Sequence, residues 1–204
     1  MENIFEQETI YNPVTGEKLL VLESTEEVFR MGFSISPHSE IAGEHIHPFQ
    51  EQTVVVTEGE LLCRIDGVTS VLRAGDSATV PAGARHFQSN PTSVEARAIE
   101  EYRPAGRIHN LFRVLFTLAQ EGKTNRKGVP NPLIGAALMA EFKDTVRVSS
   151  PYLRLLFGAL APLACLLGYR QTIRSYVEKF ERADERAALS NSVFKPLMQK
   201  AEKV

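Results

Sequence analysis

Over residues 8–100 the chain runs through short β-patterned segments cut by turn residues, and this cadence limits the fold more than any other feature. Asn12-Pro13-Val14-Thr15-Gly16 reads as a turn and Glu17–Leu22 as a strand. Val28–Ser36 alternates with a period of two and puts Phe29, Met31, Phe33 and Ile35 on one side. Gln52–Thr57 is β-branched and stops at Glu58-Gly59; Glu60–Ile65 runs into Asp66-Gly67, a two-residue hairpin signal, and Val68–Leu72 returns. Ala74-Gly75-Asp76 turns again, Ser77–Val80 extends, Pro81-Ala82-Gly83 breaks it, and Ser93–Tyr102 closes the series. Short strands at such spacing predict an antiparallel sandwich or barrel.

The pattern changes at Pro104-Ala105-Gly106. Leu111, Val114, Leu115 and Leu118 fall at helical spacing, with Gly122 placed to end the helix. Pro132 suits the first turn of a helix reaching Phe142, and Ser150-Pro151 opens the apolar run Tyr152–Tyr169, which contains Pro162. From Gln171 onward the chain is charged and helix-prone. The expected organisation is a barrel over residues 1–106 and an α-helical region over 107–204. An interrupted pair of helices, buried against the barrel or in a dimer interface, is the expectation for 152–169; a membrane contact is the lesser alternative, since a span needs about 20 apolar residues.

Charge divides along the same boundary. Residues 1–106 carry 7 Lys/Arg against 17 Asp/Glu, a net of −10, whereas residues 107–204 carry 16 against 8, a net of +8. The two halves neutralise each other within a subunit or across a homodimer, or the basic half meets an anionic partner. The two cysteines, Cys63 and Cys165, are expected to be buried free thiols. The acidic N-terminus lacks the basic and apolar regions of a signal peptide, so a cytoplasmic location is expected. Gly122-Lys123-Thr124 lacks the earlier glycine of a phosphate loop, and the basic stretch Lys123–Lys127 has no interleaved aromatics, so neither nucleotide nor nucleic-acid binding is expected.

The chemistry sits in three histidines. His45 and His47, spaced i, i+2 on a strand, point to one side of a sheet, and His86 follows the Pro81-x-Gly83 turn on a segment able to close on them. Three converging imidazoles make a site for a divalent transition metal: Zn, Fe, Ni or Mn. His38 and His109 read as solvated surface residues. Arg85, Tyr102 and Arg103 are candidates for the barrel mouth.

These residues resemble the cupins, small β-barrels marked by two motifs. Gly75, Pro81, Gly83, His86 and Asn90 fill every position of the second, Gly-x5-Pro-x-Gly-x2-His-x3-Asn. In the first, His45, His47 and Gly59 fit, and Ser39 stands where a glycine leads. The resemblance covers roughly residues 28–100. It implies a mainly β, double-stranded β-helix (jelly-roll) barrel with a metal inside, a small-molecule ligand or substrate, and a homodimer. At the fourth ligand position, where the family has glutamate, counting back from Gly59 gives Gln52 and counting forward from His47 gives Glu51. Both faces of that strand are mixed, so alternation alone does not decide. The distance to Gly59 favours Gln52 inward, and a bulge would bring in Glu51, the candidate general base. With Gln52 the expected ligands are His45, His47, His86 and an uncharged amide, which leaves the metal's charge uncompensated. The resemblance implies a metal-dependent enzyme of dioxygenase, isomerase or decarboxylase type. The alternative is a non-catalytic sensing module whose helical tail meets a partner.

Overall fold

A computed structural model of the chain describes residues 8–201; the acidic N-terminal segment lies outside them. Ten strands come first: β1 (Thr9–Tyr11), β2 (Lys18–Ser24), β3 (Phe29–Ile35), β4 (Ser39–Ile46), β5 (Glu51–Glu58), β6 (Glu60–Ile65), β7 (Val68–Arg73), β8 (Ser77–Val80), β9 (Arg85–Asn90) and β10 (Ala96–Arg103). Then follow α1 (Ile108–Gln120), α2 (Pro132–Glu141), the two-residue strand β11 (Arg147–Val148), α3 (Pro151–Leu166) and α4 (Tyr169–Ala201). The strands form two antiparallel sheets, ordered β1-β2-β3-β10-β5-β8 and β11-β4-β9-β6-β7. The fold is a jelly-roll barrel followed by helices.

Strand alternation builds the barrel core. Phe29, Met31, Phe33 and Ile35 of β3 all face inward, as do Val54 and Val56 of β5 and Ala96, Ala98 and Tyr102 of β10. The Asp66-Gly67 hairpin has both residues at positive φ, 47° and 87°, which matches the twist of the strands it joins. Gly59 turns β5 into β6 at φ 75°, and a Cβ there would lie 3.0 Å from the Glu95 carbonyl oxygen and 3.1 Å from the Ala96 Cα. Gly59→Val is therefore expected to cost about 2 kcal/mol or more, read as a lower urea midpoint.

The helices form a second core that shares α1 with the first. Ile108 and Phe116 pack into the barrel cluster, whereas Leu111, Val114 and Leu118 join Phe142, Ile173 and Val177 in the helical cluster. Asn131 and Ser150 cap α2 and α3 by accepting from the N–H groups of Ile134 and Leu153, each followed by proline at the first helical position. The expected interrupted pair over 152–169 is a single helix: α3 runs through Pro162 to Leu166, and the chain turns at Leu167-Gly168. α3 packs on α2 and leaves one side uncovered, so Cys165 is exposed, not buried as expected; Cys63 is buried in the barrel.

Charge also joins the two parts. Arg113 of α1 bonds Glu8 at 2.6 Å and Asp184 of α4 at 2.7 Å. His109 is not the solvated residue expected: it stacks on Phe29 with centroids 4.9 Å apart and reaches Glu8 at 2.8 Å. Burial alone would raise the Glu8 carboxyl, but the hydrogen bonds from His109 and Arg113 outweigh it and hold the pKa at about 2. A carboxyl that titrates lower when folded stabilises fully above its unfolded value of 4.5, and that contribution disappears as pH falls toward about 2. Because 36% of the side chain is exposed, solvent screening reduces the effect. Between about pH 6 and about pH 3, Glu8→Gln is expected to lose about 1–2 kcal/mol less stability than wild type, measured by urea unfolding.

Candidate metal centre

β4 and β9 pair so that His45 lies directly opposite His86, and His47 follows one residue beyond the end of β4. A register shift between Ile41 and His45 marks a bulge beside the site. The Pro81-Ala82-Gly83 turn docks onto the same place, with the Gly83 N–H donating to the His47 carbonyl at 2.8 Å. Asn90 is a staple instead of a ligand. Its amide donates to the carbonyls of Ile35 and Val94 and its oxygen accepts from Thr92, which fixes the loop after β9.

The three rings converge, with centroids 4.2, 4.9 and 5.1 Å apart, and one ligand atom from each lies within 4.8 Å of the others. Each ring has its Nδ1 beside a backbone carbonyl: His47 on Thr145 at 2.7 Å, His45 on Gly43 at 2.8 Å and His86 on Ala84 at 3.3 Å. A carbonyl can only accept, so in every ring Nδ1 carries the proton and Nε2 presents a lone pair. Nε2 of His45 and Nε2 of His47 are 3.2 Å apart, and the buried Nε2 of His86 has no hydrogen-bond partner. Two nitrogens each about 2.1 Å from one ion lie about 3.0–3.4 Å apart in octahedral or tetrahedral geometry. Burial pushes all three imidazoles below their usual range, His86 to about 3, so a proton does not relieve the crowding of lone pairs. A divalent cation does, and the carbonyls behind the rings hold the tautomer that metal binding requires.

Gln52 is the inward residue of the Glu51/Gln52 pair. It is 3% exposed, donates its amide N–H to Glu100 at 2.7 Å and leaves its buried Oε1 without a partner. Glu51 is exposed on the outer face of β5, because a strand that turns Gln52 inward turns its neighbour outward. A general-base role for Glu51 finds no support in that position. The carboxylate inside the barrel belongs to Glu100, which sequence reading missed although Ala96, Ala98, Glu100 and Tyr102 share one face of β10. Burial pushes Glu100 up to about 7, opposed by hydrogen bonds from Tyr102 at 2.8 Å and from Gln52. Tyr102 is fully enclosed and sets its ring edge-on to His47 at 5.3 Å. Arg85 and Arg103 are exposed at strand ends, paired with Asp66 and Glu101.

The helical region touches the centre directly. β11 pairs with β4 at His45 and Ile46, and the loop before it supplies the Thr145 carbonyl that holds His47. Residues 32–101 match the family model described as Cupin domain. The barrel is similar to a cupin domain over these residues. Among curated proteins, the chain is 38% identical over 74 residues to Polyketide synthase CurC of Streptomyces cyaneus, covering 36% of this chain and 48% of that one. It is 35% identical over 74 residues to Protein SchB of Streptomyces halstedii, covering 36% and 54%. The matched segment thus spans about half the length of these relatives. Among solved structures, an RmlC-like cupin from Shewanella frigidimarina superposes with a TM-score of 0.47 at 28% identity, covering 53% of this chain and 94% of that one.

Proposed function

We propose that this barrel holds one divalent transition metal on Nε2 of His45, His47 and His86, with Gln52 Oε1 as the fourth protein donor, and presents it to a small organic molecule. The observation that carries the reading is the convergence of three histidine Nε2 atoms, those of His45 and His47 3.2 Å apart and that of His86 buried without a partner among the described residues. When bound, the metal supplies Lewis-acid activation of an oxygen donor, or redox chemistry if it is iron or manganese. The donor set is neutral, so an anionic chelate such as an enolate or catecholate balances the charge better than a neutral ligand. His45 is half-buried while His47 and His86 are closed off, which gives a ligand its access on the His45 side. The names of the relatives add a chemical class: polyketides are built of β-dicarbonyl units, and a β-dicarbonyl enolate is a bidentate oxygen chelate.

The test uses cobalt(II) as a spectroscopic probe and acetylacetone as the simplest β-dicarbonyl. Addition of acetylacetone to the cobalt-loaded protein is expected to shift the visible absorption bands saturably. A spectrum unchanged by acetylacetone and by catechol would remove the small-molecule reading. Ligand sensing without turnover is the second reading, and the Thr145 carbonyl favours it, because it links the helices to a ligand histidine. Consumption of a β-dicarbonyl by the iron- or zinc-loaded protein would exclude sensing alone.

A further inference from the structure

α3 carries an apolar face that none of the described residues covers. Phe157, Leu160 and Ala164 pack toward the helical core. On the opposite side Tyr152, Leu155, Leu156, Ala159, Leu163 and Leu166 recur at three- and four-residue spacing, with Tyr152, Leu155 and Leu166 at 84%, 76% and 83% exposure. Isolated exposed leucines are ordinary, but a continuous face of this length marks a surface that meets something. α3 contains no Asp, Glu or Lys, and its one charged residue is Arg154.

The flank of this face is cationic. A cleft of about 210 Å³ between α2, β11 and α3 is bordered by Lys143, Arg147 and Arg154 and has no carboxylate in its lining. Arg147 and Arg154 are held on the carbonyls of Lys143 and Ser149, and among the described residues none of the three cations has a carboxylate within 4.0 Å. Arg107, Arg170 and Arg174 instead share the single carboxylate of Glu141.

Geometry and charge select the occupant. α3 is about 24 Å long, short of a hydrocarbon core of about 30 Å, and the chain bends by 81° into α4, so the helix offers its side and not its ends. A two-fold contact between copies through this face would give the Lys143, Arg147 and Arg154 fringe no anionic partner from α3 or from the cleft, since neither carries a carboxylate. Anionic lipid headgroups would neutralise the same fringe while acyl chains cover the leucines. We propose that α3 is an interfacial anchor that seats the protein on an anionic membrane surface, lying in the plane of the headgroups.

Vesicle flotation of the full-length protein tests this, with phosphatidylcholine vesicles with and without phosphatidylglycerol. Flotation with the anionic vesicles, weakened by high salt, is expected. Leu155→Glu/Leu166→Glu should reduce it about a hundredfold or more, and Arg147→Glu/Arg154→Glu about tenfold or more, with circular dichroism and metal content unchanged. These side chains are exposed, so the fold does not depend on them. Failure to float with either vesicle overturns the proposal, as does equal, salt-independent flotation with both. If sedimentation shows a dimer that Leu155→Glu/Leu166→Glu dissociates while vesicles leave the protein in solution, the face belongs to a second copy.

Discussion

Saturating zinc is expected to raise the melting temperature of the wild-type protein by about 5–10 °C and to leave a His86→Ala variant unmoved. The size follows from linkage. An ion that binds only the folded state contributes about 2.7 kcal/mol at a hundred times its dissociation constant, and each kcal/mol moves a domain of this size by about 2–4 °C. The unfolded chain cannot reproduce the site, because His45 and His86 meet only across the β4–β9 pairing. His86 is also the ligand whose Nε2 is buried and unpartnered without the ion, so the metal removes a cost as well as adding bonds. A calorimetric shift of equal size in wild type and variant would mean that zinc binds elsewhere.

Phe142→Ala is expected to cost about 3–5 kcal/mol and also to weaken metal binding about tenfold. Phe142 is fully buried in the helical core, with the Arg107 guanidinium over its ring at 4.5 Å. Its carbonyl accepts from the N–H groups of Thr145 at 2.8 Å and Val146 at 2.9 Å. That short turn aims the Thr145 carbonyl at His47. A cavity at Phe142 therefore lets the turn shift, and His47 loses the partner that fixes its tautomer. Metal affinity measured by titration well below the melting temperature separates this from a general loss of fold, and Phe142→Leu should restore most of it. Unchanged affinity in a destabilised Phe142→Ala protein would show that the helices do not position His47.

What could be read in the sequence follows from how local each signal is. The period-two runs put Phe29, Met31, Phe33 and Ile35 on the inner face, and Asp66-Gly67 made the hairpin, because both depend on neighbours a few residues away. The three histidines were legible because motif spacing encodes the pairing of two strands. Gln52 against Glu51 was legible only through the distance to Gly59, since both faces of β5 mix polar and apolar residues and alternation alone does not separate them. Glu100 was hidden in the pair Glu100-Glu101, which looks like a solvated strand end until Tyr102 and Gln52 are seen to close on it. Thr145 left no signal at all, because a carbonyl acts there and any residue supplies one. β11 is two residues long, too short for a period. The apolar run at 152–169 was visible, but its exposure was not: α2 covers one side of α3, and composition does not count sides.

The measurement that bears most directly on the account is elemental analysis of untagged protein purified without chelator, beside a His45→Ala/His86→Ala control. About one transition-metal ion per chain is expected in wild type and less than about a tenth of that in the control. Wild type as empty as the control, even after soaking in zinc, iron, nickel and manganese salts, would contradict it.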